Sequence, residues 1–523
     1  MSTICLKTNQ HRLINNLRHA FIPGSMLGEL LQNARRAQAS HIDVRVDHDS
    51  ISVSDDGTGI ADLQSLIHIA ESGWDPELQA RENAFGMGVL STLYFAEHLS
   101  VHSGTQAFEA PTAAILRSDA IEVQERAPRS GTMIRLDGVQ SPYPGTSLPA
   151  WAEGELQRLC AAFPVRVSFN GADVPRPLSD PSIEWLDTPV GRLRLDLHAA
   201  PTQWRCYLQG LPIGRVPSAS RHQIVLLRDD MIARLPDRQH LLDEEADHPR
   251  IQAAIDEAFR QGLVRIKERA AGSEFVTVYG EVCLSSSNTD LLNDVPFASR
   301  RWFRDWSASP PGHRHAWRRC CRLPDGLVAR EVLEEPGVWQ IGGDGCDESL
   351  AEVYLEARQA FLLREYRLDP DHWLLGLVRT LRPDQIVVRA GTMLYEEASP
   401  PLADDVALVL VDSLAIALEG DAEAIPVGAV RRAGTIHLTP DADGVTLLVS
   451  DYIFDDRYDE DCEDADAQTL RTFVAVGCSQ DPGQVVTALL PDALRFLAQP
   501  RLAGATVRLT FDAQGKLASA VSG

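Results

Sequence analysis

Glu29 and Asn33 stand four residues apart in the segment ELLQN. A helix there places a carboxylate and an amide on one face, a turn apart. The carboxylate can orient and deprotonate a water, and the amide oxygen is a hard ligand suited to a magnesium ion that keeps most of its own waters. Further on, Asp55-Asp56-Gly57-Thr58-Gly59 follows the strand-like SISVS. Gly57 and Gly59 allow close backbone approach and positive φ, and a carboxylate at a strand end can accept a hydrogen bond from an exocyclic amine. A third cluster, Phe85-Gly86-Met87-Gly88-Val89-Leu90-Ser91, opens a helix, where glycines expose backbone N–H groups able to cradle phosphate oxygens. Singly, each has an ordinary explanation as a solvated helix face, a tight turn or a glycine-rich helix start.

Elements of the right kind surround these clusters. Met26, Leu27, Leu30, Leu31, Ala34 and Ala37 recur at helical spacing over 25–39, while Ile42, Val44 and Val46, then Ile51 and Val53, alternate as strands. A helix is expected over about 62–71 and another from near Val89, with short strands at 99–103, 112–118, 120–125 and 132–136. This predicts an α/β (α+β) fold with helices laid on a mixed sheet over 1–140. Pro, Gly and Ser concentrate at 141–149 and read as a domain junction. A second α/β domain is expected over 150–272, its strands at 163–171, 192–198, 203–210 and 223–229 preceding an amphipathic helix at 249–270. Residues 273–390 form a mixed region with a helical centre at 351–368. The last domain, 391–523, is strand-rich, with strands expected at 405–412, 434–440, 444–451 and 505–511, and no internal repeat is visible.

Composition narrows the class. The chain has 523 residues, 44% of them hydrophobic, and 49 Lys plus Arg against 74 Asp plus Glu give a net charge of −25. Three or four cored domains are expected, not a disordered chain. The negative balance disfavours a wholesale nucleic-acid binder. Nine scattered cysteines without a C-x-x-C pair argue against a disulfide framework. The N-terminus lacks an apolar signal core and no long apolar run follows, so the expectation is a soluble, cytoplasmic protein without a membrane span.

The order of the motifs carries more than any one of them. Glu-x3-Asn, Asp-x-Gly-x-Gly, Gly-x-Gly-x-x-Ser and then Gly131-Thr132 on a strand resemble the ATP-binding superfamily of gyrase B, heat-shock chaperones, histidine kinases and MutL. Within it the chain is most similar to the ninety-kilodalton heat-shock chaperones over about 1–270. Ile69-Ala70-Glu71-Ser72-Gly73 matches their I-A-x-S-G lid segment, FGMGVLSTLYFAEHLSVHS follows their FGxGFYSxYxVAxxVxVxS pattern, and the LPDRQHLLDEE loop before a helix looks like their middle domain. The resemblance implies a Bergerat-type ATP-binding sandwich followed by an S5-like middle domain, acting as a clamp that hydrolyses ATP to ADP and phosphate with Mg2+. It implies Glu29 as general base, Asn33 as magnesium ligand, Asp55 as adenine reader, Gly57, Gly59, Gly86 and Gly88 as close-approach positions, Ser91 as a nucleotide contact and Thr132 at the adenine end. Arg238 aligns with the arginine that reaches the γ-phosphate in the closed state, and a homodimer acting on a protein client is expected.

The chain also departs from that pattern. Arg36 stands where the family commonly has Asp (N-x-x-D-A), on the face of Glu29 and Asn33, so it could meet a phosphate or pair with Glu29. Asp56 replaces the usual Asn, and 62–85 contains no lysine. Two alternatives stay open: a MutL- or MORC-like clamp associated with nucleic acid or defence, and a non-hydrolysing nucleotide-sensing scaffold. A histidine kinase is disfavoured because no phosphoacceptor helix precedes the nucleotide module.

Three further segments stand out. Residues 300–322 hold seven arginines, three tryptophans and a phenylalanine, so Arg300, Arg301, Trp302, Arg304, Trp306, Trp317, Arg318 and Arg319 could contact nucleic acid or protein, or dock intramolecularly on acidic surface. His313, His315, Cys320 and Cys321 are too crowded for an established zinc spacing. Residues 451–466 carry nine acids and read as a solvated acidic loop. Glu419-Gly420-Asp421 lacks the partner motif of a topoisomerase metal site.

Overall fold

The computed structural model describes residues 19, 21, 23–68, 88–214, 216–234, 240–306, 310–315, 325–343, 348–442 and 444–523. The chain forms two compact units, one of residues 1–270 with 281–288, the other of 271–280 with 289–523.

The first unit begins with helix α1 (Pro23–Arg36). Proline at its first position suits an N–H that has no helical partner, and Arg35 and Arg36 in the last turn complement the negative end of the helix dipole. Met26, Leu27, Leu30, Leu31 and Ala34 bury one face. Burial of each large side chain contributes about 1.5–3 kcal/mol, enough to hold a helix that also buries Glu29, Gln32 and Arg36. Strands β1 (His41–Val46) and β2 (Ser50–Asp55) follow. In β1 Ile42, Val44 and Val46 point into the core while Asp43 and Arg45 point away, the alternation expected of a half-buried strand. Helix α2 (Gly88–Phe95), strand β3 (His98–Pro111), helix α3 (Thr112–Leu116), strand β4 (Gln124–Asp137), helix α4 (Leu148–Cys160) and strands β5 (Arg166–Phe169) and β6 (Ala172–Asp173) complete the layer.

These strands make one sheet in the order β3-β4-β2-β1-β5-β6. All neighbours are antiparallel except β1 and β5, which run parallel with Ile42 opposite Val167. The mixed α/β architecture is the one expected. The junction expected at 141–149 is instead crossed by both sheet and core: β5 pairs with β1, and Leu148, Trp151, Leu156, Leu159 and Val167 pack in the same cluster as α1 and β2. Asn170 clamps this join, accepting from the Val46 N–H and donating to the Val46 carbonyl.

Beyond it, β7 (Leu186–Thr188), β8 (Gly191–Arg194), β9 (Trp204–Leu208), β10 (Leu211–Ile213) and β11 (Gln223–Leu227) form a sheet in the order β10-β9-β11-β8-β7. The long helix α5 (Glu244–Lys267) packs Ile251 and Ile255 into its core. Asp243 caps α5 by accepting the Ala246 N–H.

The second unit contains a parallel three-stranded sheet centred on Val338–Ile341, a four-stranded sheet of 393–397, 407–411, 435–438 and 429–432, and helices Glu348–Ala357 and Glu460–Cys478. One core unites the helix at 348–357 with the four-stranded sheet.

Several sequence expectations are corrected. The strand expected at 112–118 is helix α3, because Pro111 ends β3 and the Thr112 hydroxyl donates to the Ala96 and Glu97 carbonyls, turning the alanines that follow into a helical turn. Residues 120–123 are not in a strand; β4 begins at Gln124. Over 62–68 there is only a 3-10 turn, Leu63–Leu66, capped by Asp62. The strand expected at 444–451 is a short helix, Thr446–Val449, held where Thr446 donates to the Arg314 carbonyl or the Glu463 carboxylate. The helical centre expected at 351–368 ends at Ala357: Gln359 turns the chain at φ +49 into the strand Phe361–Leu362.

The acidic segment is largely solvated, with Asp451, Asp455, Asp456, Glu460, Asp461 and Asp464 exposed, but it is not a loop. It forms a hairpin and then the first turns of helix Glu460–Cys478, with Glu463 and Asp466 buried and the Tyr452 hydroxyl donating to Asp466. Of the two readings of the arginine-aromatic segment, intramolecular docking on acidic partners holds for the residues that follow. Trp302 is 2% exposed, Arg304 is buried and paired with Glu352, and half-buried Trp306 donates its indole N–H to the Ala360 carbonyl. The Arg304 and Arg314 guanidiniums lie 5.3 and 5.1 Å from the Trp306 ring centre. These side chains build this unit's interior and are unavailable as a stacking platform. Exposed Arg301 pairs with Asp325, and Arg300 lies over Phe361. Trp317, Arg318 and Arg319 lie outside the described residues, as do Cys320 and Cys321. No helix among the described residues is long and apolar enough to cross a membrane.

His372 gives this unit a pH-dependent stability. It is buried beside Trp302, its Nδ1 accepts the Leu374 N–H, and burial pushes its pKa down to about 4 from 6.5. The folded state therefore resists a proton that the unfolded chain accepts. The contribution is complete above pH 6.5 and is lost as pH falls towards 4. Urea unfolding at pH 6.5 and pH 5 should show wild-type protein losing about 2 kcal/mol more than His372→Asn, which retains a capping acceptor.

Candidate functional site

Helix α1 carries Glu29 into the interior at 6% exposure. Its carboxylate lies against the start of α2: a β-carbon on Gly88 would overlap Glu29 Oε2 and stand 3.1 Å from Cδ. Gly88 is thus a glycine because the carboxylate occupies the space of a side chain. Glu29, Leu30 and Asn33 of α1, Gly88, Val89 and Thr92 of α2, and Leu66, Leu99 and Ile134 line a cavity of about 10 Å3. That is room for a single water. A buried carboxylate facing a water-sized space is an arrangement able to accept a proton from that water.

The second cluster is built on glycine turns. Asp55 ends β2, and its Oδ1 accepts the N–H groups of Gly57 at 2.9 Å and Thr132 at 3.3 Å. Burial pushes the Asp55 carboxyl up, opposed by those two N–H groups and the charge of Arg129. Oδ2 takes no hydrogen bond from the described residues. A β-carbon on Gly131, at φ +66, would overlap the Asp55 carbonyl oxygen, and one on Gly57 would stand 2.6 Å from the Ala37 carbonyl oxygen. Gly59, at φ +76, comes within reach of the buried Ser103. Ser103 Oγ accepts the Ile60 N–H at 2.7 Å, lies 3.3 Å from the Gly131 carbonyl oxygen, and lies 3.1 Å from the Thr132 hydroxyl. The turn after β2 is thereby fastened to β3 and β4.

Of the residues singled out by sequence, Glu29, Asn33 and Gly88 meet at one cavity, and Asp55, Gly57, Gly59 and Thr132 meet at the adjoining turns. Ser91 does not join them: it is fully buried, and its hydroxyl donates to the Gly88 carbonyl at 2.6 Å, inside its own helix. Asp56 faces outward and fastens the start of β1, accepting the Ser40 hydroxyl at 2.5 Å and the N–H groups of Ser40 and His41. Those bonds hold its carboxyl below the usual range. Gly86, Arg238 and the lid segment 69–73 lie outside the described residues.

Two residues went unread in sequence. Ser103 closes the FGMGVLSTLYFAEHLSVHS pattern, but the sequence assigns it no role, and only the β3–β4 pairing brings it to Gly131. Gln32, 1% exposed on α1, donates to the Gln209 carbonyl at 3.3 Å, tying the helix to the turn between β9 and β10.

The expected magnesium ligand does not fit that role. Asn33 Oδ1, the oxygen a metal would need, accepts Arg36 Nη1 at 3.4 Å, and Arg36 is 8% exposed. A guanidinium on that oxygen puts a positive charge where a divalent cation would sit.

Gly131→Ala must displace backbone and adopt a left-handed conformation, so a loss of about 1–3 kcal/mol in urea unfolding is expected. Gly88→Ala displaces only the end of a side chain. Its melting temperature should stay near wild type, while any reaction that uses the Glu29 carboxylate should fall by about tenfold or more.

Residues 23–136, from the start of α1 to the end of β4, match the family described as histidine kinase-, DNA gyrase B- and HSP90-like ATPase. No curated protein matches the chain. The match covers roughly a fifth of the sequence, and it includes α1, the glycine turn after β2 and the Gly131-Thr132 pair. It supports assigning this N-terminal layer to the superfamily of gyrase B, heat-shock chaperone, histidine kinase and MutL ATP-binding domains.

Proposed function

We propose that this protein binds ATP in its N-terminal layer and hydrolyses it slowly to ADP and phosphate, as the motor of a molecular clamp of heat-shock chaperone type. The observation that carries the reading is the buried Glu29 carboxylate set against Gly88 at a cavity the size of one water. Asp55, its Oδ1 held by two backbone N–H groups, offers Oδ2 to the exocyclic amine of adenine. The N–H groups at the start of α2 face the phosphates. Glu29 takes a proton from the water as its oxygen attacks the γ-phosphorus, the bond to the β-phosphate oxygen breaks, and ADP leaves.

The chaperone-type assignment rests on the resemblance of the lid segment, the α2 motif and the loop before α5. In that assignment Arg238 stabilises charge on the γ-phosphoryl group when the clamp closes, and two cytoplasmic copies close together on a protein partner. The non-hydrolysing scaffold is the competing outcome of the same experiment.

Glu29→Ala should keep its affinity for ATP within about threefold while turnover falls by about 10²–10⁴. Asp55→Asn presents an amide N–H either to the backbone donors or to the adenine amine, and should weaken ATP binding by about tenfold or more. Calorimetric titration and phosphate release measure both. Unchanged turnover in Glu29→Ala would remove the assigned base; no turnover in wild-type protein with intact binding would select the scaffold.

A further inference from the structure

We propose that Arg36, in place of a divalent cation, meets the nucleotide phosphates at Asn33, so that ATP binds with nearly equal affinity in the presence and absence of magnesium. The inference rests on the nucleotide reading above and concerns the same site.

Three observations carry it. Arg36 is on the face of α1 that bears Glu29 and Asn33, and its guanidinium is almost wholly withdrawn from solvent. Its Nη1 donates to Asn33 Oδ1, so the amide oxygen already serves a cation. The neighbouring Arg35 donates its Nε to Gln32 Oε1 at 2.6 Å, whereas Arg36 is the arginine bonded to Asn33 among the described residues.

Magnesium demands oxygen ligands at about 2.0–2.1 Å in octahedral geometry and is repelled by a neighbouring positive charge. A planar guanidinium has five donors in a fixed fork, suited to phosphate oxygens. Both cations neutralise a polyphosphate, and a guanidinium bonded to Asn33 Oδ1 stands where the metal ion would have to bind that oxygen. A fixed guanidinium also needs no dehydration when the nucleotide arrives, unlike a hydrated metal ion.

The test is calorimetric titration of the full-length protein with ATP in magnesium buffer and in EDTA. Wild-type protein should show dissociation constants within about threefold of each other. Arg36→Lys, which keeps the charge, should keep that independence. Arg36→Asp, which exchanges the cation for a carboxylate, should lose about tenfold or more in EDTA and recover with magnesium. Wild-type binding that requires magnesium overturns the proposal while leaving the nucleotide reading intact, and so does Arg36→Asp binding in EDTA as wild type does. Binding in neither buffer overturns the nucleotide reading and this inference with it. The wild-type comparison involves no substitution, so its outcome does not depend on any variant folding.

Discussion

A carboxylate buried against a glycine is the constraint on which the N-terminal layer depends. Glu29 must leave water for the space that Gly88 leaves empty, and such burial is costly. The apolar face of α1 offsets the cost. Met26, Leu27, Leu30 and Leu31 anchor the helix in the core it shares with the sheet, which fixes the backbone from which its polar side chains project. The register of α1 then decides everything near it: one turn on, Asn33 reaches the same cavity, and Gln32 reaches the Gln209 carbonyl of the following sheet. That hydrogen bond ties the position of α1 to the turn between β9 and β10.

The Asp55 side obeys a different logic. Asp55 is held by backbone groups of two separate turns, and the glycines between them are required by contact. A side chain at Gly131 would collide with the Asp55 carbonyl, and one at Gly57 with the Ala37 carbonyl. Ser103 closes the circuit from β3. A carboxylate pinned at one oxygen by N–H donors keeps the other oriented, which is a better reader of an amine than a mobile surface aspartate.

The second unit buries charge for architecture. Glu356 and Glu463 are almost fully buried: Arg314 Nε donates to Glu356 at 2.6 Å, and Thr446 and His315 face Glu463. Removing one partner of such a pair costs about 3–5 kcal/mol because it leaves the other charged and dry. That explains how Trp302, Arg304, His313 and Arg314 lie inside despite their charge and bulk, with Glu352, Glu356 and Glu463 as the counter-charges of Arg304, Arg314 and His315.

The sequence alone determined the order of helix, strand and glycine turn in the first domain, since these follow from local spacing: Leu and Met at helical intervals, Ile and Val alternating, glycines where backbone must approach. It also named Glu29, Asn33, Asp55 and Gly88 as the chemistry-bearing group. What it could not decide was where each side chain is aimed. Ser91 and Ser103 both fall within the chaperone-like pattern, yet Ser91 bonds to its own helix while Ser103 anchors the turn. Arg36 became a partner of Asn33, and Glu463 and Asp466 of the acidic segment turned inward while most of its other acids stayed exposed. The strands misread at 112–118 and 444–451 became helical because Thr112 and Thr446 found distant carbonyl or carboxylate partners. The placements of Ser103, Thr112 and Thr446 depend on partners far away in the chain and are not encoded in neighbouring residues, whereas Ser91 and Arg36 take partners three residues back in their own helices.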